Sequence, residues 1–463
     1  MEPSAPSPMH TGNLETVELR ERIFDYARYR MDLNPAPLDL PMSLDDLNAA
    51  VGQTITETGL GGLAALSTFT EILAPACLSV DHPNYLSFIP CAPTEAASLF
   101  DLVVSASSIY GGSWMEGSGA VFAENQVLSW LAAEVGLPET AGGVFVQGGT
   151  LGNLSALVAA RFRAQQRCAE TGTVEPRRWK LVCSAEAHSS LKTAAHVMGI
   201  DLVTVPVDPD GRMRGQQTEA ALAGIDVSDV FAIVATAGTT NFGIVDRLDE
   251  VGALAARLGI WFHVDGAYGL AGILAPSTRA LYRGVELADS FIVDPHKWLY
   301  APFDACALVY RDPSIARAAH TQHGEYLDPL TDTAQWNPSD YAVNLTRRPR
   351  GLPLWFSLAS HGVAAYRKSI EQNLSVTRQI ATEIRNRPNF ELVREPELSV
   401  VAFRKAGWTA ENYERWSNRM LVIGKAFAVP SSHAGEAMMR FAIINPLTSV
   451  AELVDLLDEM DQE

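Results

Sequence analysis

A lysine directly follows a histidine in Asp294-Pro295-His296-Lys297-Trp298, just past the apolar run Ser290-Phe291-Ile292-Val293. Such a run reads as a strand, and the polar residues after it mark the strand's end. An amine held there, partly out of water, is expected to be depressed toward neutrality, where it can form a Schiff base with an aldehyde. Upstream, Trp261-Phe262-His263-Val264-Asp265-Gly266-Ala267-Tyr268 ends a second apolar run in an aspartate followed by small residues. A lysine for an aldehyde and a carboxylate for a pyridinium nitrogen are the pair that pyridoxal phosphate needs. Alone, the lysine reads as a solvated surface residue and the aspartate as a helix cap. Together, in this order, they make pyridoxal 5'-phosphate the expected cofactor, with Lys297 and Asp265 as its partners.

Three further motifs offer what that cofactor needs around it. Gly148-Gly149-Thr150-Leu151-Gly152-Asn153 lies between an apolar run and a helical stretch. Glycines and a hydroxyl at a helix N-terminus bind phosphate through backbone N–H groups and the helix dipole, although a plain capping turn would look the same. His188-Ser189-Ser190 offers a flat ring that can stack on the cofactor and exchange a proton near the substrate's Cα, where a lone histidine is ordinarily structural. Ala267, two residues after Asp265, would press only a methyl on a ring face. Thr236-Ala237-Gly238-Thr239-Thr240 puts hydroxyls at another strand end, and Asp246 reads as a loop cap or part of a charge relay.

The elements that must carry these residues are legible from periodicity. Short apolar runs at 143–146, 180–183, 201–205, 230–235, 260–264, 290–293 and 305–310 alternate with helical stretches. Continuous apolar runs between helices indicate a mostly parallel sheet covered on both faces, which binds ligands beyond its carboxyl edge. Residues 1–77 are a short tail and helices too poor in apolar residues to fold alone. Residues 78–345 form the large domain, and 346–463 a smaller α+β domain opened by a long helix from 352 to 373 and beyond. At 463 residues two or three lobes are expected. The net charge of -19 argues against nucleic acid and offers nothing to an anionic membrane. No apolar run is long enough to span a bilayer, and no signal peptide is expected. Five scattered cysteines without a CxxC pair fit a reducing cytoplasm better than disulfides or a zinc site.

With these motifs assembled, the chain resembles the group II pyridoxal-phosphate decarboxylases, the family of aromatic-L-amino-acid, histidine, tyrosine and glutamate decarboxylases. The resemblance also rests on His82-Pro83-Asn84-Tyr85-Leu86-Ser87-Phe88 and on Arg347-Arg348-Pro349-Arg350-Gly351-Leu352-Pro353-Leu354-Trp355. It covers about residues 78–360 well and the ends by layout. It implies the aspartate-aminotransferase-like fold, fold type I, as a homodimer with the site at the interface and N-terminal helices wrapped around the partner. By resemblance Lys297 is the Schiff-base lysine, His188 stacks on the ring, Asp265 meets the pyridinium and Ala267 touches the ring. Gly149 and Thr150 bind phosphate with His296 nearby, and Thr240 sits beside the phenolic oxygen. Asp294 is a departure: it stands where animal aromatic-amino-acid decarboxylases usually carry asparagine, and a carboxylate there repels phosphate unless it is paired or turned away. Gly351 and Pro353 also replace bulkier or charged residues.

The expected reaction is decarboxylation of an L-amino acid to the amine and CO2. The side-chain pocket is expected to draw on Phe88, Ile89 and Pro90. With no basic residue between His82 and Glu95, an aromatic or apolar substrate is expected rather than glutamate. A polar loop over 324–345 is expected to be mobile without substrate, to close on the partner subunit's site and to supply a proton donor there, Tyr341 or Tyr326, with His188 or a water as the alternative. Decarboxylative aldehyde synthesis, another lyase reaction or aminotransfer would use the same scaffold, and Arg440 would matter to aminotransfer by gripping the α-carboxylate. A non-catalytic cofactor-binding protein is the rival of a different class.

Overall fold

The computed structural model describes residues 8–10, 12–324 and 335–463. Its large domain is built on a seven-stranded sheet: β1 (Gly142–Val146), β2 (Lys180–Ser184), β3 (Asp201–Val205), β4 (Val230–Thr236), β5 (Trp261–Asp265), β6 (Ser290–Val293) and β7 (Cys306–Tyr310). The spatial order is β1-β7-β6-β5-β4-β2-β3. Strands β2 to β6 pair in parallel, and β7 runs antiparallel to both β1 and β6. The parallel, doubly covered sheet expected from the apolar runs is therefore present.

Alternate side chains of a strand point to opposite faces. Phe291 and Val293 accordingly join one buried core and Ile292 the other. The second core holds the helix Gly149–Thr171, whose buried face carries Ala156, Ala159, Ala160 and Ala164. Its approach to the sheet is close: a Cβ on Gly152 would stand 2.7 Å from Cys306 Sγ and 2.9 Å from Ile292 Cγ2. Glycine at that position brings the neighbouring Asn153 down to the strand ends. This helix begins at Gly149, so the glycine motif is its first turn rather than a loop before it.

The smaller domain carries an antiparallel sheet in the order β10-β11-β9-β8, from β8 (Phe390–Arg394), β9 (Val400–Lys405), β10 (Ser431–His433) and β11 (Glu436–Ala442). Helices Val363–Arg385, Ala410–Val422 and Val450–Asp461 close a third core around Trp416, Phe403 and Phe441. Leu86 also belongs to that core, and its N–H donates to Phe427 O at 2.8 Å. The stretch assigned by sequence to the start of the large domain is thus stitched to the small one. The single long helix expected from residue 352 is two, Leu352–His361 and Val363–Arg385, because Gly362 between them takes φ +74°, outside the helical range.

At the N-terminus, helices Leu14–Asp32 and Leu44–Val51 start at side-chain caps from Asn13 and Ser43. Neither contains a buried residue, and Val17, Ile23, Phe24 and Tyr29 are exposed along the first.

Candidate active site

A cavity of about 420 Å³ opens at the carboxyl ends of the sheet strands. Five parts of its lining sit at the ends of strands that run the same way: Gly148 to Thr150 after β1, His188 after β2, Thr236 at the end of β4, Asp265 at the end of β5, and Asp294 to Lys297 after β6. A parallel sheet assembles in this way residues that lie far apart in the chain. The ends of β5 and β6 are tied directly, Asp294 N–H donating to Ala267 O at 2.9 Å.

Lys297 lies in this cavity, with Nζ 2.9 Å from Asp294 Oδ2. Burial pushes the amine's pKa down, but the Asp294 charge and hydrogen bond, with Asp265 and Cys306 contributing, outweigh it, and the net shift is upward. The expected depression of this lysine is therefore corrected. Without the cofactor the amine is an ammonium, because a carboxylate contact at that distance overrides desolvation.

Asp294 is buried. Its Oδ2 accepts from Lys297 and, at 3.3 Å, from the N–H of Gly149, while Oδ1 has no hydrogen-bond partner among the described residues. Pairing thus offsets the repulsion that a carboxylate beside a phosphate site would otherwise exert. His296 Nδ1 lies 2.7 Å from Ala305 O, and burial lowers the ring's pKa.

Asp265 ends β5 with both oxygens engaged: Oδ1 accepts from Ala267 N–H at 3.1 Å, and Oδ2 from Asn153 Nδ2 at 2.9 Å. Asn153 also donates to Ser190 Oγ at 3.0 Å, and that hydroxyl lies 2.9 Å from His188 Nδ1. On its other side Asn153 Oδ1 is 2.9 Å from His263 Nε2, and His263 Nδ1 is 2.8 Å from Ser290 Oγ. Burial lowers the His263 pKa to about 4, so the ring is neutral. Asn153, Ser190 and His263 had no role assigned from sequence. The available signal was positional: residues 261, 263 and 265 share one face of β5.

Thr240 lines the cavity, and its carbonyl accepts from Arg440 Nη2 at 2.8 Å, as does Phe88 O at 2.9 Å. This arm of Arg440 braces the wall, and burial lowers the guanidinium's pKa to about 10. Asp246 proves to be a loop brace, accepting from the N–H groups of Thr236 and Met213 at 2.7 Å each. Phe88 and Ile89 line the cavity; Pro90 is buried outside its lining.

Tyr341 is not brought to this site. It is 4% exposed, stacked on Trp336 at 4.1 Å and packed in the second core, and burial pushes its phenol up to about 12. Pro338–Asp340 forms a helical turn held by Ser339 N–H to Gly112 O, while residues 325–334, with Tyr326, lie outside the described residues.

The residues present fit pyridoxal phosphate. The N-terminus of the Gly149–Thr171 helix opens on the cavity without a side-chain cap of its own. A Cβ on Gly149 would lie 3.1 Å from Asp294 Oδ2 and 3.2 Å from Ala267 Cβ, so a larger residue would fill the cradle. A lysine, an aspartate held by one hydrogen bond on each oxygen and a histidine ring complete the set around one space.

Comparison with known proteins agrees. The family described as "Pyridoxal-dependent decarboxylase conserved domain" matches residues 53–406. An aromatic-L-amino-acid decarboxylase of Bacillus atrophaeus is 28% identical, covering 92% of this chain and 90% of its own. An L-2,4-diaminobutyrate decarboxylase of Acinetobacter baumannii is 28% identical over 78% of this chain and 75% of its own. The crystal structure of Oryza sativa TDC with PLP and tryptamine shares the fold, with a TM-score of 0.89, 24% identity and 99% of each chain covered. On this match and the site it encloses, the chain belongs to the pyridoxal-dependent decarboxylases, enzymes that use pyridoxal phosphate to remove the carboxyl group of an amino acid.

Proposed function

We propose that the substrate is an aromatic or apolar L-amino acid, released as its amine. The observation that carries this reading is the composition of the outer cavity. Phe88 and Ile89 form part of its wall, and among the described lining residues Lys297 is the only lysine or arginine. With that lysine committed to the cofactor, an acidic side chain such as glutamate's finds no counter-charge. Asp304, also on the wall, favours a second reading, a cationic side chain such as that of 2,4-diaminobutyrate; Arg350 Nε at 2.9 Å already offsets its charge. A decarboxylation screen over the proteinogenic L-amino acids plus diaminobutyrate and ornithine tests both. Preferential turnover of glutamate or aspartate would overturn them.

Pyridoxal phosphate, when bound, supplies an electron sink for the electrons left as CO2 departs. The chain's own residues do the rest. Lys297 would hold the cofactor covalently and give it up to the substrate amine. Asp265 would keep a proton on the ring nitrogen, the N–H groups of Gly149 and Thr150 would hold the phosphate, and Ala267 leaves room for the ring. With Tyr341 buried elsewhere, His188 is the proton source this reading favours for Cα.

The same proposal includes a homodimer with the site at the interface. The exposed apolar face of helix Leu14–Asp32 supports it, as does Phe88, 59% exposed at the cavity mouth. Sedimentation at graded concentration tests it, and a monomer at micromolar concentration would contradict it. A cytoplasmic setting fits the cysteines, all free in the described chain and four of them buried.

A further inference from the structure

We propose that Asn153 is a positioning residue that locks Asp265 and His188 into a single hydrogen-bonded state, with His263 as its anchor. The proposal rests on the cofactor assignment above and goes beyond it, because none of the three linking side chains touches a reacting atom.

The directions of the hydrogen bonds are forced. Asn153 Nδ2 faces two acceptors, Asp265 Oδ2 at 2.9 Å and Ser190 Oγ at 3.0 Å. Turning the amide over would set its oxygen against a carboxylate, so Oδ1 must face His263. His263 therefore donates from Nε2, leaving Nδ1 to accept from the Ser290 hydroxyl. That hydroxyl's oxygen in turn accepts from Trp261 Nε1–H at 2.9 Å. No donor on this branch lacks an acceptor.

The other branch reaches His188. Ser190 Oγ accepts from Asn153, and its own proton points to His188 Nδ1, which also accepts the Ser190 backbone N–H at 3.2 Å. The neutral His188 ring then carries its proton on Nε2. One amide thus orients the carboxylate meant for the ring nitrogen and selects the tautomer of the residue meant for the ring face. Asn153, Ser190 and His263 are 1%, 3% and 0% exposed, so water does not substitute for a missing partner.

The test uses the full-length holoenzyme and reads the bound cofactor's absorbance across pH, the cofactor's dissociation constant and the pH profile of CO2 release. Asn153→Ala removes both donors. It should loosen pyridoxal phosphate about tenfold or more, the loss of one charge-assisted hydrogen bond, and make a pH-invariant spectrum titrate. Ser190→Ala cuts only the branch to His188, and should shift the pH profile of CO2 release while leaving cofactor affinity unchanged. His263→Phe should reproduce the spectral change of Asn153→Ala, and His263→Gln, which still offers an N–H to Asn153, should restore the parent spectrum. This pair decides the matter even if Asn153→Ala does not fold. Identical behaviour of His263→Phe and His263→Gln, or an unchanged spectrum and affinity in folded Asn153→Ala, would overturn the proposal. Failure of the cofactor assignment is separable, since borohydride would then not attach pyridoxal phosphate to Lys297 in the parent.

Discussion

Two buried polar clusters in the large domain are built on opposite plans. Around the cavity, Asn153, His263, Ser190 and Ser290 are neutral side chains leading to one carboxylate, and the cluster opens on the ligand space. Under β1, Arg347 and Glu124 form a sealed ion pair. Arg347 Nη2 lies 2.9 Å from Glu124 Oε2 and 3.0 Å from Phe145 O, and Gly351 N–H donates to Glu124 Oε1 at 2.7 Å. The second cluster fastens the chain at 347–351 to helix Trp114–Val135 and to the sheet. The difference separates two uses of buried polarity. Removing half of a sealed ion pair strands a charge and costs stability, whereas removing part of the neutral cluster costs less and shows in the chemistry.

The sharpest break at the cavity is Lys297→Ala. It should abolish borohydride-trapped attachment of the cofactor and all decarboxylation, and labelling of another lysine in the parent would refute the assignment. Next, Asp265→Asn should retain the cofactor and lose about two to three orders of magnitude in turnover, since the amide cannot hold a proton on the ring nitrogen. Near-normal turnover would remove Asp265 from that role.

The ion-pair cluster should respond in stability alone. Arg347→Met leaves Glu124 buried and unpaired and should cost about 3–5 kcal/mol in urea denaturation. The double change Glu124→Leu with Arg347→Met should recover most of that loss. Throughout, the absorbance of bound cofactor should stay as in the parent, and a spectral change would erase the contrast between the clusters.

Acid should weaken the protein through its buried neutral histidines. Burial lowers both His263 and His320 to about 4 from the ordinary 6.5. Between those values the unfolded chain binds the extra proton, so stability falls as pH drops from 6.5 to 4, by up to about 1.4 kcal/mol per pH unit for each ring. His320→Gln, distant from the cavity chemistry, should flatten that slope without moving the cofactor spectrum. The smallest effect belongs to Tyr341→Phe. With its ring packed on Trp336, the variant should make amine at the parent rate, and a shift toward aldehyde would return Tyr341 to the site.

Much of the site was legible before any coordinates, because each motif pairs a residue type with a local event. An apolar run that stops at Asp265 or just before Asp294 marks a strand end, and in a parallel sheet the carboxyl ends gather at one edge. The same logic carried Gly149, Thr150 and His188 to the cavity. Tyr341 was expected on other grounds, the family resemblance and a polar, aperiodic stretch, and its ring stacks on Trp336 and packs in the second core.

By itself, then, the sequence determined the cofactor, the sheet and the residues that meet at its edge. Only the tertiary structure decided their electrical state and their links. The free Lys297 amine has its pKa raised because Asp294 comes within 2.9 Å of it, not because of the strand it follows. Asn153 joins Asp265 and His263 because Gly152 lets its helix settle against β6 and β7. Protonation and hydrogen-bond direction depend on distances through space between residues remote in the chain, and periodicity along the chain does not carry those distances.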